Sequence, residues 1–120
     1  MPVRSLHSSV LKWPDNHTVD QVARDWAHLL ALKHPEITGI AYFGSYARGD
    51  WGVGSDLDVA VIIRNSNRPF EERSRDYDTQ KLPVPTDLVV YTLEEWYSLD
   101  WEQPFYLRLL KEAVWVYGSA

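Results

Sequence analysis

The sequence predicts an α/β fold. Three observations carry the prediction. Apolar runs of strand length recur at residues 37–43, 56–63 and 86–92. Helical spacing fills the stretch before the first run and the one after the third. The inner part of the second run, Val59-Ala60-Val61-Ile62-Ile63, is apolar on both faces, as in a central strand covered on both sides. A chain of 120 residues buries roughly two-thirds of its unfolded surface, enough for one core, so a single domain over 1–120 is expected.

Taken in order, residues 1–17 lack steady periodicity and carry Pro2, Pro14, Asp15 and Asn16. They read as an extended arm or short helix followed by a turn. Thr18 is the expected N-cap of the first long helix, where Val22, Trp26, Leu29 and Leu30 recur at helical spacing. Pro35 stops that helix near His34. The strand 37–43 runs into Gly44-Ser45, and residues 45–48 fit a short helical turn stopped by Gly49. A loop with three glycines covers 49–55, and Asp56–Ile63 is the second strand. Residues 64–81 are polar, and a loop followed by a solvent-facing helix from about Pro69 is expected. Pro83 and Pro85 lead into the third strand, Thr86–Thr92. Thr92 and Glu95 have the spacing of a capping box for a helix over 93–98. Phe105, Leu109 and Ala113 mark a helix after Pro104, and Val114–Tyr117 a terminal strand.

Composition narrows the function classes. A net charge of −5 argues against strong nucleic-acid binding, which needs clustered Lys and Arg. The absence of cysteine excludes disulfides and thiolate metal sites and fits a cytoplasmic protein. No apolar run approaches the ~20 residues that span a bilayer, and the N-terminus has no apolar signal segment, so no membrane association is expected. Six tryptophans are many for this length; they read as large rings filling a small core, or as a sticky partner surface. The four histidines show no ligand spacing and read as surface or core residues.

The residues that carry chemistry lie between 44 and 87. A glycine between a strand and a helical turn lets the backbone approach a ligand closely, and helix-start N–H groups favour an anion. Gly44 and Ser45 fit that role, with the Ser45 hydroxyl as an added donor. After ten intervening residues come Asp56 and Asp58. Residues two apart in a strand share a face, so these carboxylates repel unless a cation lies between them. Mg²⁺, one or two ions, suits such oxygen ligands and a substrate phosphate. Asp87 begins the third apolar strand and completes a three-carboxylate cluster if that strand lies beside the second. One carboxylate of such a cluster could accept a proton from an attacking hydroxyl. Arg48, three residues after Ser45, could hold a triphosphate or simply pair with Asp50 or Asp56 in solvent. Ser55 could donate to a phosphate or orient Asp56.

The run Gly44-Ser45-Tyr46-Ala47-Arg48-Gly49 followed by Ser55-Asp56-Leu57-Asp58-Val59 resembles the signature of the DNA polymerase beta-like nucleotidyltransferase superfamily. The spacing resembles its minimal nucleotidyltransferase (MNT) branch, and the likeness covers about residues 37–92. The resemblance implies a nucleotidyltransferase fold with a short mixed sheet flanked by helices. It implies Mg²⁺-assisted transfer of a nucleoside monophosphate, AMP from ATP foremost, to an acceptor hydroxyl. By that analogy Asp56, Asp58 and Asp87 hold the metal, Asp87 also serving as base, and Gly44, Ser45 and Arg48 hold the nucleotide. No acceptor-binding helical domain follows the core in this sequence. MNT proteins of this kind pair with HEPN toxins, which implies an antitoxin that modifies a tyrosine of a HEPN partner. Two other readings compete. One is a transferase acting on a small hydroxyl compound such as an aminoglycoside, with a homo-oligomer completing the pocket; an acidic chain attracts a cationic substrate. The other is a non-catalytic module that blocks a toxin by contact.

Overall fold

The computed structural model describes residues 13–120. Most of the arm expected over 1–17 therefore lies outside the described residues. The first helix, α1 (Asn16–Lys33), is capped by Asp15 rather than Thr18. Asp15 Oδ1 accepts the Thr18 N–H at 2.8 Å, so the cap sits one turn earlier than expected and Thr18 becomes its partner. His34 ends the helix, and its N–H reaches the Leu30 carbonyl.

Four strands follow: β1 (Ile37–Phe43), β2 (Leu57–Ile63), β3 (Thr86–Thr92) and β4 (Val114–Gly118). They form one mixed sheet in the order β3-β2-β1-β4. β1 is antiparallel to β2 and to β4, while β2 and β3 are parallel. A parallel neighbour needs a crossover. Residues 64–85 supply it, with a 3₁₀ helix at Phe70–Asp76. The expected solvent-facing helix is thus a tighter 3₁₀ turn, and it is not wholly solvent-facing. Arg73 is buried and binds both oxygens of Glu95 and the Val90 carbonyl. The short helices α2 (Ser45–Arg48) and α3 (Leu93–Tyr97) and the longer α4 (Pro104–Glu112) complete the described chain. The Thr92–Glu95 capping box is present at α3. No described helix is long and apolar enough to cross a membrane.

The sheet is covered on both faces, which is why β2 is apolar throughout. On one face α1 packs Val19, Ala23, Trp26 and Leu30 against Ile40, Val59, Val61 and Val116. On the other, α3 and α4 place Trp96 and Leu109 over Ile62, with Tyr91, Trp101 and Trp115 around them. Trp96 meets Trp101 and Trp115 edge-on, with centroids at 5.1 and 5.8 Å. All six tryptophans are buried or half-buried, so the large rings belong to the core. The described histidines carry no site either; His28 and His34 lie edge-on against Tyr117 and Tyr77.

Strand directions decide where a site can form. β1 ends, and β2, β3 and β4 begin, at the same edge of the sheet. The loops and turns carrying residues 44–56, 85–87 and 112–113 therefore gather there.

Candidate functional site

Gly44 is the hinge of this edge. It has φ +80°, a backbone region that side chains rarely adopt, and a methyl group built on it would collide with Asp58 Oδ2. Glycine is therefore required twice, for the turn out of β1 and for the close approach of the carboxylate. α2 follows at once. The Arg48 N–H reaches the Gly44 carbonyl at 2.9 Å, and Gly49 closes the turn in the left-handed region. Tyr46 pins α2 to the core: it is 1% exposed, stacks on Trp51 at 5.5 Å, and its hydroxyl accepts from Trp13 Nε1 at 2.9 Å. Ser55 braces the glycine loop by accepting the Gly52 N–H at 2.8 Å, which leaves its own proton free to donate.

Asp58 stands inside β2, opposite Phe43 of β1 and in register with Asp87 of β3. By alternation Asp58 and Asp87 share the sheet face that carries Ile62 and Tyr91. Asp56 lies one residue before the ladder, because β2 begins at Leu57 rather than at Asp56. Even so, Asp56 and Asp58 line the same cavity, together with Gly44, Ser45, Arg48 and Ser55. Its volume is about 350 Å³, within the range of small-molecule sites. Asp87 is exposed and lies beside this group, in the neighbouring strand, rather than in the cavity lining.

Electrostatics at this edge are unfavourable to negative charge. Partial burial raises the Asp58 carboxyl above its ordinary value, and the nearby charges of Asp87 and Asp56 push it further; Arg48 pulls the other way. Among the described residues no hydrogen bond opposes the shift. The side chains are not drawn together: among the described residues no three His, Cys, Asp or Glu form a ready metal-binding group. The donor chemistry nevertheless fits a hard cation, since Asp58 offers oxygens to which no described residue donates, with a second carboxylate in the same cavity and a third in the next strand.

Four more residues line the cavity from α4: Phe105, Arg108, Leu109 and Glu112. The sequence reading treated this helix as scaffold. Its signal was weak but present, since Phe105, Arg108 and Glu112 recur at spacings of three and four, placing a ring and two opposite charges along one helix side. Glu112 reaches Arg48 across the cavity rim, with Nη1 to Oε2 at 3.3 Å, while Arg48 Nε meets Asp50 at 3.1 Å. Arg48 thus pairs with Asp50, as one sequence reading held, and with Glu112, which none foresaw; Asp56 is not its partner.

Comparison with known proteins places this geometry. Residues 27–116 match the nucleotidyltransferase domain family. The chain belongs to that family. This nucleotidyltransferase has the fold of a candidate nucleotidyltransferase from Sulfolobus solfataricus, with a TM-score of 0.60 at 18% identity over 83% of this chain and 80% of that one. A toxin–antitoxin structure with AMP-PNP matches with a TM-score of 0.52 at 18% identity, over 80% of this chain and 73% of that one. A variant of the MntA–HpeT toxin–antitoxin matches with a TM-score of 0.51 at 19% identity, over 81% and 72% of the two chains. At these identities the likeness establishes the fold. No curated protein matches the sequence.

Proposed function

We propose that this nucleotidyltransferase moves a nucleoside monophosphate, AMP from ATP, onto a hydroxyl of a partner protein, a tyrosine of a HEPN-type toxin, and so acts as an antitoxin. The observation that carries the transfer chemistry is Asp58: a half-buried carboxylate with raised pKa and no donor among the described residues, in a cavity shared with Asp56 and Gly44-Ser45 and in register with Asp87. The family match supports nucleotidyl transfer. The fold likeness to toxin–antitoxin structures, one of them holding AMP-PNP, supports the choice of nucleotide and of partner class.

In this reading Asp56, Asp58 and Asp87 would hold one or two Mg²⁺ ions, which when bound would supply positive charge to offset the triphosphate and the developing negative charge. Gly44 would present backbone at close range, and Ser45 its hydroxyl, to the β- and γ-phosphates. Asp87, exposed at the start of β3, takes the proton of the acceptor hydroxyl. The acceptor oxygen bonds to the α-phosphorus, the bond from that phosphorus to the bridging oxygen breaks, and pyrophosphate leaves with its electron pair. Asp87 then releases the proton to water.

The deciding experiment is incubation with labelled ATP and Mg²⁺, alone and with a cell lysate, read by gel and mass spectrometry. AMP on a tyrosine of a small protein is the expected result. Label confined to a small hydroxyl compound moves the acceptor to the second class, and no transfer under any condition leaves a module that acts by contact alone.

A further inference from the structure

Two arginines line the cavity, and their charges are not equally available. Arg48 is engaged on two sides, by Asp50 through Nε and by Glu112 through Nη1. The Glu112 side chain is only 15% exposed, so this pair is partly sheltered from water and holds α4 against α2. Arg108 precedes Glu112 by four residues on α4, a spacing at which helical side chains meet. Yet Glu112 turns to Arg48, and among the described residues no carboxylate lies within ion-pair distance of Arg108. Arg108 is exposed and lines the same cavity as Asp56, Asp58 and Ser45.

An entering polyphosphate meets Asp56, Asp58 and Glu112 in that lining, and only one guanidinium not already matched by carboxylates. The planar fork of an arginine suits two phosphate oxygens at once. We propose that Arg108 is the residue that grips the terminal phosphates of the triphosphate substrate, while Arg48, locked to Asp50 and Glu112, is a strut that fixes α4 over the site. The proposal deepens the nucleotidyl-transfer reading and rests on it. It makes α4 a substrate-contacting wall and gives the site a means of preferring a triphosphate over a monophosphate.

Calorimetric titration of the whole chain with ATP and with AMP, each in Mg²⁺, tests this. Arg108→Ala should weaken ATP binding about thirtyfold, the loss of charge-assisted hydrogen bonds to phosphate. AMP, which lacks the terminal phosphates, should bind the variant within about threefold of the wild type on the same ground. Arg48→Ala should weaken ATP less than Arg108→Ala does. Arg108→Gln keeps the aliphatic stem and a polar end without the charge and should reproduce the ATP-specific loss, which guards against a folding defect in the alanine variant. Unchanged ATP affinity in both Arg108 variants, an equal loss for ATP and AMP, or a larger loss in Arg48→Ala overturns the assignment. Should the wild type bind no ATP, the transfer reading itself falls and takes this one with it; ATP binding indifferent to Arg108 removes only this one.

Discussion

The two faces of the sheet treat a half-buried aspartate in opposite ways. On the α1 face, burial works against the charge of Asp20, but hydrogen bonds from Arg24 and from the Tyr42 hydroxyl, at 2.8 and 2.7 Å, outweigh it and hold the carboxyl below its usual value. On the α4 face, burial and neighbours of its own sign raise the Asp58 carboxyl against the weaker pull of Arg48, and no described residue donates to it. One aspartate stabilises the fold as it stands. The other is unfavourable to the free protein as a charge and is relieved by a proton or by a bound cation. Settled packing marks the α1 face, and unmet charge marks the face where chemistry is expected.

The comparison can be pressed hardest with two substitutions in β2, one for each face. Val61 is fully buried under α1, and Val61→Asp should leave the chain unfolded at room temperature, since an unpaired buried charge costs about 4 kcal/mol or more. Circular dichroism reads this directly, and a folded variant would mean that this face is less tightly closed than it is drawn. Asp58→Asn, three residues away on the other face, should fold and melt a few degrees higher than the wild type without metal, because it removes like-charge repulsion. Its transfer rate should fall about a thousandfold, the several kcal/mol that a metal-holding carboxylate contributes. A lower melting temperature would contradict the electrostatics given for Asp58, and a near-normal rate would contradict its role.

Much of this contrast was legible in the sequence. The apolar runs located all four strands to within a residue, because a strand covered on both faces leaves little room for polar residues. Gly44-Ser45 and Asp56-x-Asp58 were readable as one cluster, because a glycine turn after one strand and carboxylates at the start of the next fall together when the strands are antiparallel neighbours. Asp87 needed the parallel register of β2 and β3, on which the sequence was silent. The Arg48–Glu112 pair joins residues separated by 64 positions, and no local pattern encodes such a meeting. The Thr18 cap went wrong for a local reason: Asp15 lies three residues earlier and is the better acceptor for the Thr18 N–H.

Smaller effects sharpen the picture at the sheet's margins. Glu95 is held below its ordinary value of 4.5 first by its hydrogen bond to Arg73, aided by the Thr92 N–H. A depressed carboxyl stabilises the fold above its unfolded value and loses that contribution as pH falls through the folded one. Glu95→Gln should therefore cost about 2 kcal/mol near neutrality, as a hydrogen bond to a charged group does, and the gap to the wild type should close as the pH drops below about 4. Urea melts at several pH values measure it, and a gap that widened in acid would reverse the assignment. Least of all, Tyr42→Phe should cost about 1 kcal/mol, one hydrogen bond to Asp20, with Arg24 still in place and transfer untouched. Loss of activity in that variant would show that the two faces are coupled.

The tryptophan cluster beneath α4 has an optical consequence. Trp96 is buried, Trp101 lies edge-on to it, and Trp101 in turn faces Tyr106 of α4 at 6.2 Å. Indole emission follows the polarity around the ring, so a shift of α4 changes the light that Trp101 gives out. The protein thus carries its own fluorescent gauge of how the α4 wall sits over the cavity, and whether α4 shifts or holds still on nucleotide addition can be read without attaching a dye.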